Sequence, residues 1–180
     1  MSKKFLIISI VLFLLAVGYL IANFVDFGEN NKNQLPANQN TNNNGSTIVS
    51  DFEGEKGEKV ELTDGQIELE IEMFDDGLAH YYNTKTSKGN IVYFFVLKDK
   101  NGVYRAAANA CQVCFDAQMG FRQEGDYMVC ETCGNKYPLT KIATEKGGCN
   151  PGPINPNLEV ENGKVIIKES DVKEVVGFFN

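Results

Sequence analysis

The hydrophobic pattern changes character twice along this chain. From Phe5 to Val25 the run FLIISIVLFLLAVGYLIANFV contains no charge. At about 1.5 Å rise per residue, a helix of that length crosses a hydrocarbon core of roughly 30 Å. A cleaved signal peptide has a shorter apolar region, about 7–15 residues, followed by small residues at the cut site. Here the run continues through Tyr19 and Asn23 with no Ala-x-Ala, so the pattern predicts a single transmembrane signal-anchor helix within residues 1–27. Lys3 and Lys4 are the positive charges on its short side, which predicts an amino terminus in the cytoplasm and an exported remainder. Residues 28–47, GENNKNQLPANQNTNNNGST, are dominated by Asn and carry almost nothing apolar. Such a segment buries too little surface to offset the entropy of ordering, so it is predicted to be a flexible, disordered linker. Its random-coil span is about 25 Å.

Beyond the linker, over residues 48–180, a period of two takes over. Ile67, Leu69, Ile71 and Met73 alternate with Glu68, Glu70 and Glu72, which predicts one strand from Gln66 to Phe74 with a buried and a wet face. Asp64-Gly65 predicts a tight turn from a strand at Val60 to Leu62, and Asp75-Asp76-Gly77 a turn into a strand at Leu78 to Thr84. Ile91 to Leu97 is continuously apolar and predicts a central strand covered on both faces. Asn101-Gly102 turns the chain into Val103 to Asn109, a hairpin that delivers Cys111 at its end. Met119 to Gln123 and Tyr127 to Val129 flank Glu124-Gly125-Asp126 as a second hairpin ending at Cys130. Leu158 to Val160 and Lys164 to Ile167 flank Asn162-Gly163 as a last one. Helical periodicity is weak outside the anchor, with a short helical turn expected within Ser170 to Phe178. The fold class predicted is mainly β: anchor, linker, then a compact β-meander domain with a cysteine-ligated metal site.

Composition and charge narrow the partners. A length of 180 residues allows one ordinary domain beside the anchor. The formal charge is −7, and without Lys3 and Lys4 the remainder carries −9 (−7 − 2). Such a surface repels nucleic-acid phosphates and argues against a nucleic-acid partner. From Asp51 to Asp76 the only bases are Lys56 and Lys59. This acidic run reads as a solvated sheet face, the alternative being a surface that collects cations or docks a basic partner. His80, the only histidine, reads as packing or surface rather than as a ligand. No Ser/His/Asp set, Gly-rich phosphate loop or Cys-x-x-Cys-His motif is present, so neither a catalytic group nor a small-molecule substrate is evident.

The chemistry lies in the five cysteines. Cys111-Gln112-Val113-Cys114 is followed, after fifteen residues, by Cys130-Glu131-Thr132-Cys133-Gly134. Two intervening residues let a turn aim both sulfurs one way, and Gly134 removes a Cβ where backbone N–H groups approach the sulfurs. Two such pairs can converge on a common tetrahedral centre. Cys149, in Gly147-Gly148-Cys149-Asn150-Pro151, makes the count odd. On the residues alone, four chemistries compete. Disulfides suit an exported domain, but an odd count and such short loops argue against them. Thiol–disulfide exchange needs one pair opening a helix, and neither pair precedes a helical pattern. Structural zinc fits the separation and needs four thiolates. An iron site, mononuclear or an iron–sulfur cluster, needs the same thiolates in a shielded pocket, which Phe115, Phe121, Tyr127 and Tyr137 are near enough in sequence to supply.

Arg105-Ala106-Ala107 to Ala110-Cys111-Gln112-Val113-Cys114 begins a longer pattern. Gly120-Phe121-Arg122-Gln123-Glu124-Gly125-Asp126, Val129-Cys130-x-x-Cys133-Gly134, Ile142 and Gly147-Gly148-Cys149-Asn150-Pro151 continue it. Together with Tyr81-Tyr82 and Ile91 to Val96, this pattern resembles the FtrD-like family of membrane-associated iron–sulfur proteins, in order over residues 78–168. The resemblance implies an iron–sulfur centre in a membrane system linked to iron uptake and electron transfer, four-thiolate iron being the form the cysteines alone also allow. It implies Cys111, Cys114, Cys130 and Cys133 as metal ligands. Cys149 is a further candidate ligand, a free thiol in a Gly-rich turn being the alternative. Some members of that family carry many transmembrane helices ahead of this domain, so permease or quinone chemistry is expected in a membrane partner protein. The function expected is an extracytoplasmic, single-pass, membrane-anchored electron carrier or metal-binding module rather than a catalyst. The alternative is a zinc-stabilised structural or interaction module with no redox role.

Overall fold

A computed structural model describes residues 51–180. The expected anchor over 1–27 and linker over 28–47 lie outside the described residues, among which no helix is long and apolar enough to cross a membrane. The described residues begin with β1 (Glu58–Lys59), β2 (Gln66–Glu70), β3 (His80–Lys85), β4 (Ile91–Lys98) and β5 (Tyr104–Cys111). β6 (Phe121–Glu124), β7 (Tyr127–Cys130) and β8 (Lys136–Pro138) follow. β9 (Pro151–Asn155), β10 (Glu159–Glu161), β11 (Lys164–Lys168) and α1 (Glu169–Lys173) close it. The strands form a five-stranded sheet in the order β1-β3-β4-β5-β9 and two three-stranded sheets, β10-β11-β2 and β6-β7-β8. The domain is mainly β, as the alternation predicts.

β4 explains why there are three sheets. Successive side chains of a strand point to opposite faces, and IVYFFVL offers apolar groups to both. Val92, Phe94 and Val96, with Ala106 and Ala108 of β5, join Ile67, Leu69, Val165 and Ile167 from β2 and β11 in one core. Phe95 and Leu97, with Ala107 and Cys111, join Phe121, Met128 and Cys130 from β6 and β7 in a second. The two small sheets therefore contribute to opposite faces of the large one, and the cysteines belong to the second core. Alanines at four of the eight β5 positions leave room for the aromatic side chains of β4.

The pairing departs from a simple meander. β3, β4 and β5 are consecutive antiparallel neighbours. β9 then returns beside β5 after the β6-β7-β8 excursion, and β2 pairs with β11, Ile67 opposite Ile167. Alternation dictates which face is buried but not which strand lies alongside. The expected strand from Gln66 to Phe74 stops at Glu70, and Ile71–Phe74 forms a 3-10 turn. Its partner runs out there. Glu70 faces Lys164, the first residue of β11, and the Ile71 N–H bonds the Gly163 carbonyl at 3.0 Å. Turning instead of continuing buries Phe74 completely and leaves Met73 39% exposed. The turn at Asp64-Gly65 forms as expected, with Thr63 paired to Gln66. No strand spans Val60 to Leu62, because the Val60 N–H extends the parallel pairing of β1 by bonding the Asn83 carbonyl at 2.9 Å. The short helical turn expected near the C-terminal end is α1, followed by a 3-10 turn at Val176–Phe178.

Candidate metal centre

Two strand ends and one strand start bring the five cysteines together. Cys111 is the last residue of β5 and Cys130 the last of β7. Cys111 faces Pro151 in the β5–β9 register, so the loop entering β9 brings Cys149 beside the first Cys-x-x-Cys turn. The β6–β7 hairpin is held against β5 by Asn109, fully buried. Its Oδ1 accepts from the Phe121 N–H at 2.7 Å, while its Nδ2 donates to the Glu55 carbonyl at 2.9 Å. Gly120, at φ +71°, lies so close that a Cβ there would stand 2.6 Å from Asn109 Oδ1. The Tyr81 hydroxyl donates to the Phe121 carbonyl at 3.0 Å from the other side.

Each Cys-x-x-Cys closes a turn with a backbone N–H aimed at sulfur. The Cys114 N–H donates to Cys111 Sγ at 3.2 Å. In the second turn the Gly134 N–H returns to the Cys130 carbonyl at 2.9 Å, with Gly134 at φ +73°. This left-handed step, open to glycine without strain, turns the Asn135 N–H toward the Cys133 sulfur. The donor to sulfur is thus Asn135, the neighbour of Gly134.

The sulfurs fall into two sets. Cys111, Cys114 and Cys130 lie with their Sγ atoms within 4.8 Å of one another, as do Cys114, Cys133 and Cys149. The four sulfurs of the two pairs are not all within 4.8 Å of one another, although the Cys133 sulfur also neighbours those of Cys130 and Cys114. Cys133 groups with Cys149, and Cys114 belongs to both sets. All five are free thiols. Exposure is graded: Cys111 and Cys130 are each 1% exposed, Cys114 and Cys149 are half-buried, and Cys133 faces solvent. Cys111, Cys114 and Cys130 line a cavity of about 10 Å³ together with Phe52, Phe115 and Phe121. That is the room of about one water-sized sphere.

The electrostatics follow this gradient. Burial pushes the Cys111 thiol up against the hydrogen bonds it receives. The Cys114 thiol is raised further, first by burial and then by negative charge on Cys111 and Cys130. Cys133 moves the other way, lowered chiefly by the Asn135 N–H. The Tyr137 hydroxyl is raised by burial and by the charges of Cys149, Cys133 and Cys111, so this ring borders the sulfurs. Clustered thiolates repel one another, and a bound cation reverses that balance and releases the thiol protons. Five soft sulfur donors with no carboxylate among them suit zinc, copper(I), iron or an iron–sulfur cluster, and not calcium or magnesium. The residues present fit an iron–sulfur group.

Of the aromatics expected to shield the site, Phe115 and Phe121 line the cavity and Tyr137 packs beside the cysteines. Tyr127 does not. It opens β7, at the end remote from Cys130, and is 44% exposed. Two contributors escaped the sequence reading. Phe52, an isolated aromatic in the acidic run, lines the cavity and stacks on Tyr93 at 4.3 Å. Asn109 carried a usable signal as the polar residue at an inward position of an otherwise apolar strand end. His80 lies outside both sets, its Nε2 3.1 Å from the Asp76 carboxylate. Glu68 and Glu70 of the acidic run are exposed on the outer face of β2, as a solvated sheet face requires.

Comparison with known proteins adds one finding. No curated protein and no solved structure matches the chain significantly. The sequence model of the family described as "Membrane iron-sulfur containing protein FtrD-like" matches residues 74–179, a segment that contains β3 to β11 and all five cysteines. Because that match covers more than half of the chain and includes the whole thiolate cluster, the protein belongs to the FtrD-like family of membrane iron–sulfur proteins.

Proposed function

We propose that this protein is an extracytoplasmic electron carrier, tethered by its N-terminal segment and serving a membrane redox or iron-uptake system. The observation that carries this reading is the gradient across the thiolate cluster, from Cys111 and Cys130 in the core to Cys133 at the surface. An iron–sulfur group bound there supplies a one-electron couple. The chain does the rest. Cys111, Cys114, Cys130, Cys133 and Cys149 are the residues proposed to hold the group. Phe52, Phe115 and Phe121 limit the space on the inner side of the cysteines to about one water. The N–H groups of Cys114 and Asn135 stabilise negative charge on sulfur, which favours the reduced state. Val113, 60% exposed between Cys111 and Cys114, gives a partner an apolar contact beside the centre. No substrate pocket is required, since electrons pass at the exposed edge. The donor and acceptor are proposed to be membrane proteins.

The test is an absorption spectrum of the full chain purified without oxygen, before and after dithionite and again after reoxidation. Bands that bleach on reduction and return support the carrier. A colourless protein holding zinc, unchanged by dithionite, overturns it and leaves a zinc-stabilised interaction module.

A further inference from the structure

The two sulfur sets carry information about the centre that the family description does not. Around one tetrahedral ion with metal–sulfur bonds of about 2.3 Å, thiolate sulfurs stand roughly 3.8 Å apart. Within each set the sulfurs are already inside 4.8 Å, so small side-chain adjustments close either set on an ion. A single site built from the two Cys-x-x-Cys pairs would join Cys133 to Cys111 and Cys130 and leave Cys149 over. Here the Cys133 sulfur neighbours that of Cys130 but closes a set of three only with Cys114 and Cys149, and two sets of three with one common member use every cysteine in the chain.

We propose that the centre has two metal positions bridged by the Cys114 thiolate: an inner position held by Cys111, Cys114 and Cys130, and an outer position held by Cys114, Cys133 and Cys149. The proposal rests on the reading that these cysteines hold metal. A thiolate sulfur has lone pairs enough for two metals, and Cys114 sits at the junction of the buried and exposed groups. Each position then has three thiolates and one remaining tetrahedral place for a ligand other than cysteine, such as inorganic sulfide. The two positions differ in access. The inner one lies against the small cavity lined by Phe52, Phe115 and Phe121, whereas the outer one includes solvent-facing Cys133. A chelator therefore removes the outer ion first.

Cobalt(II) tests this without relying on iron or on redox activity. The full chain, stripped of metal and kept reduced and anaerobic, is titrated with cobalt(II) while thiolate-to-cobalt absorption and electron paramagnetic resonance are recorded. The expected result is saturation at two cobalt ions per chain, with a resonance per cobalt well below that of an isolated ion. Exchange through the shared sulfur pairs the spins. Cys149→Ser is expected to saturate at one ion and to recover the full resonance per cobalt. Cys111 and Cys130 lie in the core and their replacement disturbs folding, so Cys149→Ser and Cys133→Ser carry the test, with circular dichroism to show that the sheets remain. Saturation of the wild type at one ion overturns the proposal. So does a Cys149→Ser variant that titrates like the wild type, or two ions whose resonances are undiminished. Its failure is distinguishable from failure of the electron-carrier reading, because a redox-silent protein can still bind two coupled cobalt ions and a one-ion centre can still carry electrons.

Discussion

Asn109 links the large sheet to the hairpin that carries Cys130, and replacing it by Ala should loosen that link measurably. The side chain is fully buried and makes two hydrogen bonds, accepting from the Phe121 N–H and donating to the Glu55 carbonyl. Truncation orphans the buried Phe121 N–H, at about 1–3 kcal/mol, and removes the bond to Glu55, at about 1 kcal/mol. A total near 3 kcal/mol corresponds to a fall in Tm of roughly 10 °C for a domain of this size. Gly120→Ala provides the internal control. Its Cβ would meet Asn109 Oδ1 at 2.6 Å and its φ is +71°, so it carries a clash plus about 1–2 kcal/mol of left-handed strain. In the double variant the clash disappears and only the strain remains. The pair should therefore cost less than the sum of the single changes by about 1 kcal/mol or more. Urea denaturation of wild type, both single variants and the double variant measures this coupling. Additivity within about 0.5 kcal/mol, or an Asn109→Ala variant as stable as wild type, would refute the argument that this contact holds the hairpin.

Three further outcomes are expected. Arg105→Met leaves the Asp99 carboxylate, whose side chain is fully buried, without its guanidinium partner at 2.7 Å and removes the donor to the Ile142 carbonyl. The cost should be about 3–5 kcal/mol in urea, since the N–H groups of Asn101 and Val103 that also reach Asp99 compensate only in part. The Glu169 carboxyl is held down at about 2 by Ser87, with Lys173 adding to it. A depressed folded pKa contributes stability above the unfolded value, which is lost as pH falls from about 4.5 toward 2, so Glu169→Gln should flatten the acid limb of a stability profile in that window. Gly152→Ala places a Cβ on the Phe178 ring. It should lower stability by about 1–3 kcal/mol, and a variant with unchanged Tm would show that the ring moves aside freely.

The β character of the domain was readable because burial is periodic. Ile91 to Leu97 announces a strand covered on both faces, and β4 is that strand with a core on each side. What alternation does not encode is partnership. Nothing in QIELE says that its neighbour is KVIIK, nearly a hundred residues on, and the premature end of β2 at Glu70 follows from where β11 begins rather than from its own sequence. The cysteines were legible as a set because Cys-x-x-Cys turns are local. Their division was not, since Cys149 reaches the others through the long-range register of Cys111 with Pro151. Phe52 was hidden for a related reason: its role depends on the stretch from Phe52 to Glu55 lying across the end of β5, where Asn109 reaches Glu55.

Whether the cysteine cluster holds iron as an iron–sulfur centre, as proposed, decides between the electron carrier and the zinc-stabilised module. The most direct test is to quantify iron, acid-labile sulfide and zinc per chain in anaerobically purified full-length protein. An iron–sulfur centre gives iron with inorganic sulfide in comparable amount and zinc well below one per chain. Zinc near or above one per chain, with neither iron nor sulfide, would contradict it.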